Sequence, residues 1–591
     1  MIVPMKKVLL LALKSDKDAA LNGLRELGVV EVVCAELADS VDRSEQTARL
    51  NALKRVVGTL KSRKSSTVMT GDELSGNPAE LENLALETFK RSEELSRQMD
   101  TLRKERAEIE PWGEYDPELI KTLRGKNIFV YLCESSLEQF ELLKAELDDN
   151  TALEILSHAQ GMCRFAVISC RELADAALPE VQLARRPLSE VDSDIKQVRN
   201  QQQECEAIFD VLTGHLSELE ALLGRLNSDV ELLNVRDSLN DCGEIVALRG
   251  FVPQKDQEKL QQAADKNAWA VIFSDPEPGE TVPVLLEPPK WVKPILPLFQ
   301  FLGIAPGYDE FDMSPGMLIF FSIFFSMIIN DGGYAVLMLL ASIIAAIVLR
   351  NNRKAVLPCR LAMVLSGCAA VWGICNGAYF GTETSIMQLK FFASGKDQTA
   401  HLQLVCFVLA LVHLSLGHCW RLVNASGFRE VIGQLGWIPI LLLDFMVVLG
   451  LLVFPDMALP AWALIAGGVG LVMVLAGAVD WRDAGAVCNL PFDLIGSFTD
   501  TLSYVRLFAV GMSGTYMAQS FNDMGADLWN ASPWLILPAI LVIVFGHTLN
   551  VALAFMSVLV HGVRLNTLEF SNHAGIRWAG QAFKPLKKFE Q

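Results

Sequence analysis

Residues 498–518 read FTDTLSYVRLFAVGMSGTYMA, and the arginine within this apolar stretch, Arg506, decides what kind of chain this is. A guanidinium held at membrane depth costs roughly 3 kcal/mol or more on insertion-type scales. Such a residue is retained for work on ions, protons or a charged partner. A second arginine, Arg564, closes the last apolar helix in VLVHGVRLNTLEF, residues 558–570. Two arginines on neighbouring apolar helices narrow the functional choices more than any other feature.

Outward from that stretch, the 591 residues fall into two regimes. Residues 1–290 are charge-rich and read as soluble; from about 313 to 566 apolar runs dominate. The net charge of −18 argues against nucleic acid as a partner. The start, MIVPMKKVLLLALKSDKDAALNGL, reads as a strand followed by a helix rather than as a signal peptide. Twelve cysteines without a C-x-x-C pair read as reduced side chains, with no metal centre. The chain has no G-x-x-x-x-G-K-[ST] phosphate cradle, so no cofactor and no catalytic site of its own are expected, and nucleotide chemistry must belong to another subunit.

In the soluble half, Ile195, Val198, Gln202, Cys205, Phe209, Leu212, Leu216, Leu219, Leu223, Leu226, Val230 and Leu233 recur by threes and fours, a heptad seam. A weaker seam runs through Leu50, Leu53, Leu60, Leu81, Leu84, Leu95 and Leu102. The expectation is an antiparallel coiled-coil hairpin, 41–115 with 192–235, joining two small α/β lobes. Strand NIFVYLCE, helix SLEQFELLKAELDD and strand CRFAVISC form the distal lobe, 116–191; residues 1–40 and 236–290 form the proximal one. A linker, 291–312, leads into a membrane domain, 313–570, and a tail, 571–591.

The expected fold is thus an α-helical polytopic membrane protein with an N-terminal α+β arm. Eight spans are expected at about 314–330, 333–349, 356–379, 402–422, 436–454, 460–478, 492–520 and 534–566. With the N-terminal half cytoplasmic, the inside loops carry Arg350, Arg353, Lys354, Arg360, Arg421, Arg429 and Arg482. The tail adds Arg577, Lys584, Lys587 and Lys588, whereas the outside loops hold only Lys390 and Lys396. The positive-inside rule therefore places both termini in the cytoplasm.

Projected as a helix, the arginine stretch sets Thr499, Leu502, Ser503, Ala509, Val510 and Ser513 on the face of Arg506. That face is small and hydroxyl-bearing, suited to close approach of another helix. On the last span Asn550, Ser557, His561 and Arg564 line one side, with His547 on its border. Snorkelling to the headgroups accounts for Arg564 as well as a functional role does. His547 and Asn550 fit ordinary interhelical hydrogen bonding equally well. Asp331 and Tyr334, in the NDGGY turn, read as cap and turn residues.

SYVRLFAVGM, the run GHTLNVALAFMSVLVHGVRLNTLEF with FKPL beyond it, SPGMLIFFSIFFSMIINDGGY, WGICNGAYFG and LRGFVP together resemble subunit I of the bacterial and archaeal V/A-type rotary ATPases. That subunit is the counterpart of the vacuolar a subunit. The resemblance implies a membrane stator of a prokaryotic cytoplasmic membrane, beside a proteolipid (c/K-type) ring whose subunits carry ion-binding carboxylates. Arg506 would face the ring and Arg564 would supply a second positive position; His547, Asn550, His561, Ser503 and Glu569 would line the ion path. The soluble arm would hold peripheral stalks of the E/G type, with a d/C-type central-stalk subunit nearby. The vacuolar branch carries a glutamate ten residues before its second arginine, and here that position is Ala554. The half-channel acid is therefore open among Glu383, Asp444, Asp493 and Asp500, and proton or sodium is equally open. The alternative is a secondary transporter with a coiled-coil regulatory domain, which predicts internal repeats and interrupted helices.

Overall fold

The computed structural model describes all residues except 34–40, 64–77, 115, 147–150, 160–161, 172, 174–178, 180, 182–185, 385–387, 393–397, 424, 426, 478–483 and 589–591. Loop residues Lys396 and Arg482 fall outside the described residues. The chain divides into two compact units, one of Met1–Leu11, Val29–Glu31 and Leu248–Pro585, the other of Ala12–Gly28, Val32–Ala247 and Leu586–Gln591.

In the second unit the leucine pattern becomes four packed helices. Pro78–Ile109 lies against Leu188–Gly214 and Val41–Ser62 against Leu216–Asp237. The first pair is antiparallel: Arg106, near the end of one helix, bonds Asp192, near the start of the other, at 2.8 Å. Leu53, Leu60, Leu95, Phe209, Leu212 and Leu219 share the buried seam. The heptad run is not one helix, because it breaks at His215 (φ −100°, ψ 18°) and restarts at Leu216. Arg63 lies 4.4 Å over the Phe209 ring, capping the seam with a cation–π contact.

The same unit holds a three-stranded antiparallel sheet with Met162–Ser169 between Phe129–Ser136 and Thr151–Ala159. The strand Thr151–Ala159 is absent from the sequence reading. A register shift between Ile155 and Ser157 interrupts the alternation by which a strand is recognised. Helix Leu137–Glu146 covers this sheet through Phe140, edge-on to Phe165 at 4.8 Å.

The first unit contains a sheet in which Met5–Leu13 pairs antiparallel with Ala270–Ser274 and neighbours Ile245–Pro253. Val8 and Leu10 alternate inward, as a half-buried strand requires. Gly250, in LRGFVP, passes so close to the Glu31 carbonyl that any Cβ would collide with it.

The apolar helices of this unit begin with a hairpin of Ser314–Ile329 and Gly332–Val348. Its turn is made by Asn330 in the left-handed region (φ 47°) and by Asp331, whose carboxylate accepts the Tyr334 N–H at 3.1 Å. Among the described residues, four helices are long and apolar enough to cross a membrane: Lys354–Asn376, Gln398–Val423, Phe428–Val453 and Pro533–Ala574. Ser314–Ile329, Gly332–Val348 and Ala461–Gly477 are shorter apolar helices. The segment expected as one span over 492–520 is two helices, Ala484–Ser503 and Val505–Ala531, with fully buried Tyr504 at the junction. Helix Ile536–Ser557 continues through two π turns, Val558–Gly562 and Leu565–Glu569, into Phe570–Ala574.

Small residues set the packing of these helices. A Cβ on Gly511 would strike the Met327 carbonyl of the first apolar helix, and one on Gly546 would enter the Phe521 ring. Backbones approach this closely where glycine allows it. Leu507, Gly511, Thr515, Ala518 and Gly525 make the buried edge of Val505–Ala531, whereas Ala509, Ser513 and Ser520 lie exposed.

Candidate functional site

Arg506 is the second residue of Val505–Ala531, with its Nε donating to the carbonyl of Ser503 at 3.0 Å and its Nη2 to Glu569 Oε1 at 2.6 Å. The same Oε1 lies 3.2 Å from Arg564 Nε. Two guanidinium groups thus share one carboxylate oxygen. The Glu569 side chain is 3% exposed, against 24% for Arg506 and 54% for Arg564. Its second oxygen, Oε2, is buried without a protein partner. A carboxylate between two cations is electrostatically satisfied, but the cluster keeps a net positive charge directed at the exposed side.

The π turn makes this meeting possible. In an α-helix, residues five apart point about 140° from one another. The i→i+5 bonding of Leu565–Glu569 widens the turn and brings Glu569 back to the side of Arg564. Ser503 lends its carbonyl rather than its hydroxyl, which is spent on Thr499 O at 2.9 Å. His561 lies in the preceding π turn, with its Nδ1 buried and unpartnered.

His547 and Asn550 belong to a different cluster, on the half of the last helix remote from Arg564. His547 Nε2 meets Asn522 Oδ1 at 3.0 Å, and Asn522 Nδ2 donates to the Phe380 carbonyl at 2.7 Å. That fixes the Asn522 amide, so His547 carries its proton on Nε2 and its Nδ1 accepts from the Tyr334 hydroxyl at 2.5 Å. Asn550 donates to Gly514 O at 2.9 Å and to the Tyr334 oxygen at 3.4 Å. Tyr334, read from the sequence as a turn residue, is the centre of this network. Asp331 is a cap as expected, and its second oxygen also accepts the Gly381 N–H at 2.9 Å.

A third group was not anticipated. His418, Gln434, Asp493, Ser497, Asp500 and His573 line a cavity of about 530 Å³, together with Arg421 and Trp437. Two of the four candidate acids, Asp493 and Asp500, are therefore in one place. Of the others, Asp444 accepts the Ser497 hydroxyl at 2.9 Å and Glu383 is exposed in the short strand Thr382–Glu383. Asp500 lies six residues before Arg506 and His573 four after Glu569, so the cavity begins about one to two helical turns from the arginine cluster. No sequence signal joins His418 to His573, which are 155 positions apart.

Two arginines on a buried carboxylate, flanked by a polar cavity among apolar helices, fit a membrane ion-transport subunit. No protein-family model matches the chain. It is 30% identical to the V-type ATP synthase subunit I 1 of Treponema pallidum (strain Nichols) and 28% identical to that subunit of Borreliella burgdorferi, over 100% of each chain in both cases. The A-type ATP synthase subunit I of Pyrococcus horikoshii is 26% identical over 55% of this chain and 51% of its own. A solved cytoplasmic N-terminal domain of subunit I, homologue of subunit a of V-ATPase, aligns over 46% of this chain and 100% of its own, at 18% identity and a TM-score of 0.21, too low to inform the fold. The chain belongs to the subunit I family of V-type and A-type ATP synthases. It is a membrane subunit of a rotary ATPase and works in association with the other subunits of that complex. Family membership decides against the secondary-transporter alternative.

Proposed function

We propose that this chain is the stator of its rotary ATPase and forms the two ion half-channels against a turning proteolipid ring. The observation that carries the reading is the cluster Arg506–Glu569–Arg564 beside an exposed face of small residues. A ring carboxylate arriving protonated meets a guanidinium that cannot give up its proton. The fixed cation lowers the carboxylate's proton affinity, so the ion departs on one side. After passing Arg506, the carboxylate reloads from the other side before it faces lipid, and the arginine blocks leakage between the two paths.

Eight spans follow if Ala484–Ser503 and Val505–Ala531 are taken as one crossing, with both termini cytoplasmic in a prokaryotic cytoplasmic membrane. The cavity holding Asp493 and Asp500 is then the cytoplasmic half-channel, a role supported by Arg421 at its rim. Tyr334, His547, Asn522 and Asn550 line the opposite half-channel, where Ala554 leaves no acid. The helical arm of the soluble half, read as the coiled-coil hairpin with its two lobes, anchors E/G-type peripheral stalks and stands near a d/C-type central-stalk subunit.

The test compares native and Arg506→Ala complexes in sealed vesicles, following ATP hydrolysis and ion uptake together. Loss of transport with assembly intact supports the reading. Undiminished ATP-driven transport overturns it.

A further inference from the structure

The cavity beside the arginine cluster contains a hydrogen-bonded chain that the general stator reading does not call for. His418 Nδ1 lies 2.9 Å from Gln434 Oε1, His418 Nε2 lies 2.9 Å from His573 Nδ1, and His573 Nε2 lies 3.2 Å from Asp500 Oδ2. Both rings are buried, at 3% and 7% exposure, and Trp437 stacks on His418 at 5.7 Å and 8°. Rings packed this way hold their orientation.

Proton counting gives the chain its meaning. With Gln434 turned so that its Oε1 faces His418, it and the Asp500 carboxylate are both acceptors, and all three gaps are then filled by N–H groups of the two rings. Two neutral imidazoles have two N–H groups between them. The chain therefore holds one further proton, balanced by the negative charge of Asp500. The other charged groups on the elements packed around the rings are Arg421, on the helix of His418, Asp493, on that of Asp500, and Arg429, Glu430 and Asp444, on that of Gln434.

We propose that His418 and His573 are a proton-holding pair that exchanges one proton with Asp500, making this access path a path for protons rather than sodium. In the exchange, the N–H bond of His573 breaks as the O–H bond of Asp500 forms. On return, the O–H bond of Asp500 breaks as the N–H bond of His573 re-forms, with His418 holding the other ring nitrogen of His573 through the hydrogen bond between them. Each step moves one proton and leaves no other product. A sodium ion has no equivalent step, because an imidazole chain saturated with N–H groups offers it no lone pair. The inference rests on the reading of the cavity as a half-channel.

The experiment uses the whole complex in sealed vesicles, with His573→Gln, His418→Gln and Asp500→Asn variants compared with the native protein. ATP-driven acidification, uptake of labelled sodium and the solvent deuterium effect are measured across pH. Acidification about tenfold slower in both histidine variants, with an altered pH profile and deuterium sensitivity, is the expected result. Asp500→Asn abolishing transport while both histidine variants run normally overturns the pair and leaves the half-channel standing. Asp500→Asn running normally overturns the half-channel reading itself. If the histidine variants do not assemble, the native complex decides: sodium uptake without primary acidification overturns the pair, and acidification indifferent to sodium supports it.

Discussion

Arg564 and Glu569 stand five positions apart on one helix, yet their side chains meet at 3.2 Å because the helix makes a π turn between them. The same turn delivers Glu569 to Arg506, 63 residues away in sequence, at 2.6 Å. One local irregularity in backbone bonding therefore unites the two arginines that the sequence sets on separate helices.

Replacing Glu569 by Gln leaves two guanidinium groups around a neutral amide. Removing one partner of a fully buried pair costs about 3–5 kcal/mol. Both arginines here reach solvent, so a loss of about 1–2 kcal/mol is expected. Thermal unfolding of the detergent-solubilised complex measures it, and an unchanged midpoint would show that Glu569 does not hold the cluster together.

Arg506→Lys keeps a positive charge but loses the fork that grips Ser503 O and Glu569 at once. A lysine also gives up its proton when desolvated. Transport in sealed vesicles should fall by about two orders of magnitude with assembly intact. Recovery of more than about half the native rate would mean that charge alone suffices.

Gly511→Leu places a branched side chain against the Met327 carbonyl, where not even a Cβ fits. Overpacking of this kind costs about 1–3 kcal/mol. The arginine helix should move away from Ser314–Ile329, lowering both thermal stability and transport. A native-like melting temperature would contradict the close packing.

Glu31 accepts the Lys584 N–H at 2.5 Å, and burial pushes its carboxyl pKa up despite that bond. The fold thus holds the proton more tightly than the unfolded chain, and stability falls as pH rises from about 4.3, the unperturbed glutamate value, through the raised one. Glu31→Gln should melt slightly higher than native at pH 7, and the difference should vanish toward pH 4. A difference independent of pH would place the effect elsewhere.

Much of this was legible in the chain, for identifiable reasons. Arg506 announces itself by its cost in an apolar run, and the leucine spacing marks Phe209, Leu212 and Leu219 as seam residues because helical periodicity is local. The helical projection of the last span failed where its premise failed: a constant turn per residue cannot be carried through two π turns, so Glu569 read as incidental lining. Tyr334 read as a turn residue because its hydroxyl acts only once His547 and Asn522 arrive from elsewhere in the chain. Nothing local could pair His418 with His573. The break at His215 leaves the heptad spacing intact and so left no trace in it.

The tail is built into structure made hundreds of residues earlier. In the first unit Gln581–Ala582 runs parallel to Pro283–Val284, and in the second the Lys587 carbonyl accepts from Ser228 at 2.9 Å while the Lys588 N–H donates to the Arg25 carbonyl at 3.2 Å. Neither unit can reach its final form while the ribosome still holds those residues, which follow the last apolar helix. Completion of either unit thus reports that the helix Pro533–Ala574 has already been translated. A chain cut short before Gln581 would leave the Pro283–Val284 edge, the Ser228 hydroxyl and the Arg25 carbonyl without these partners.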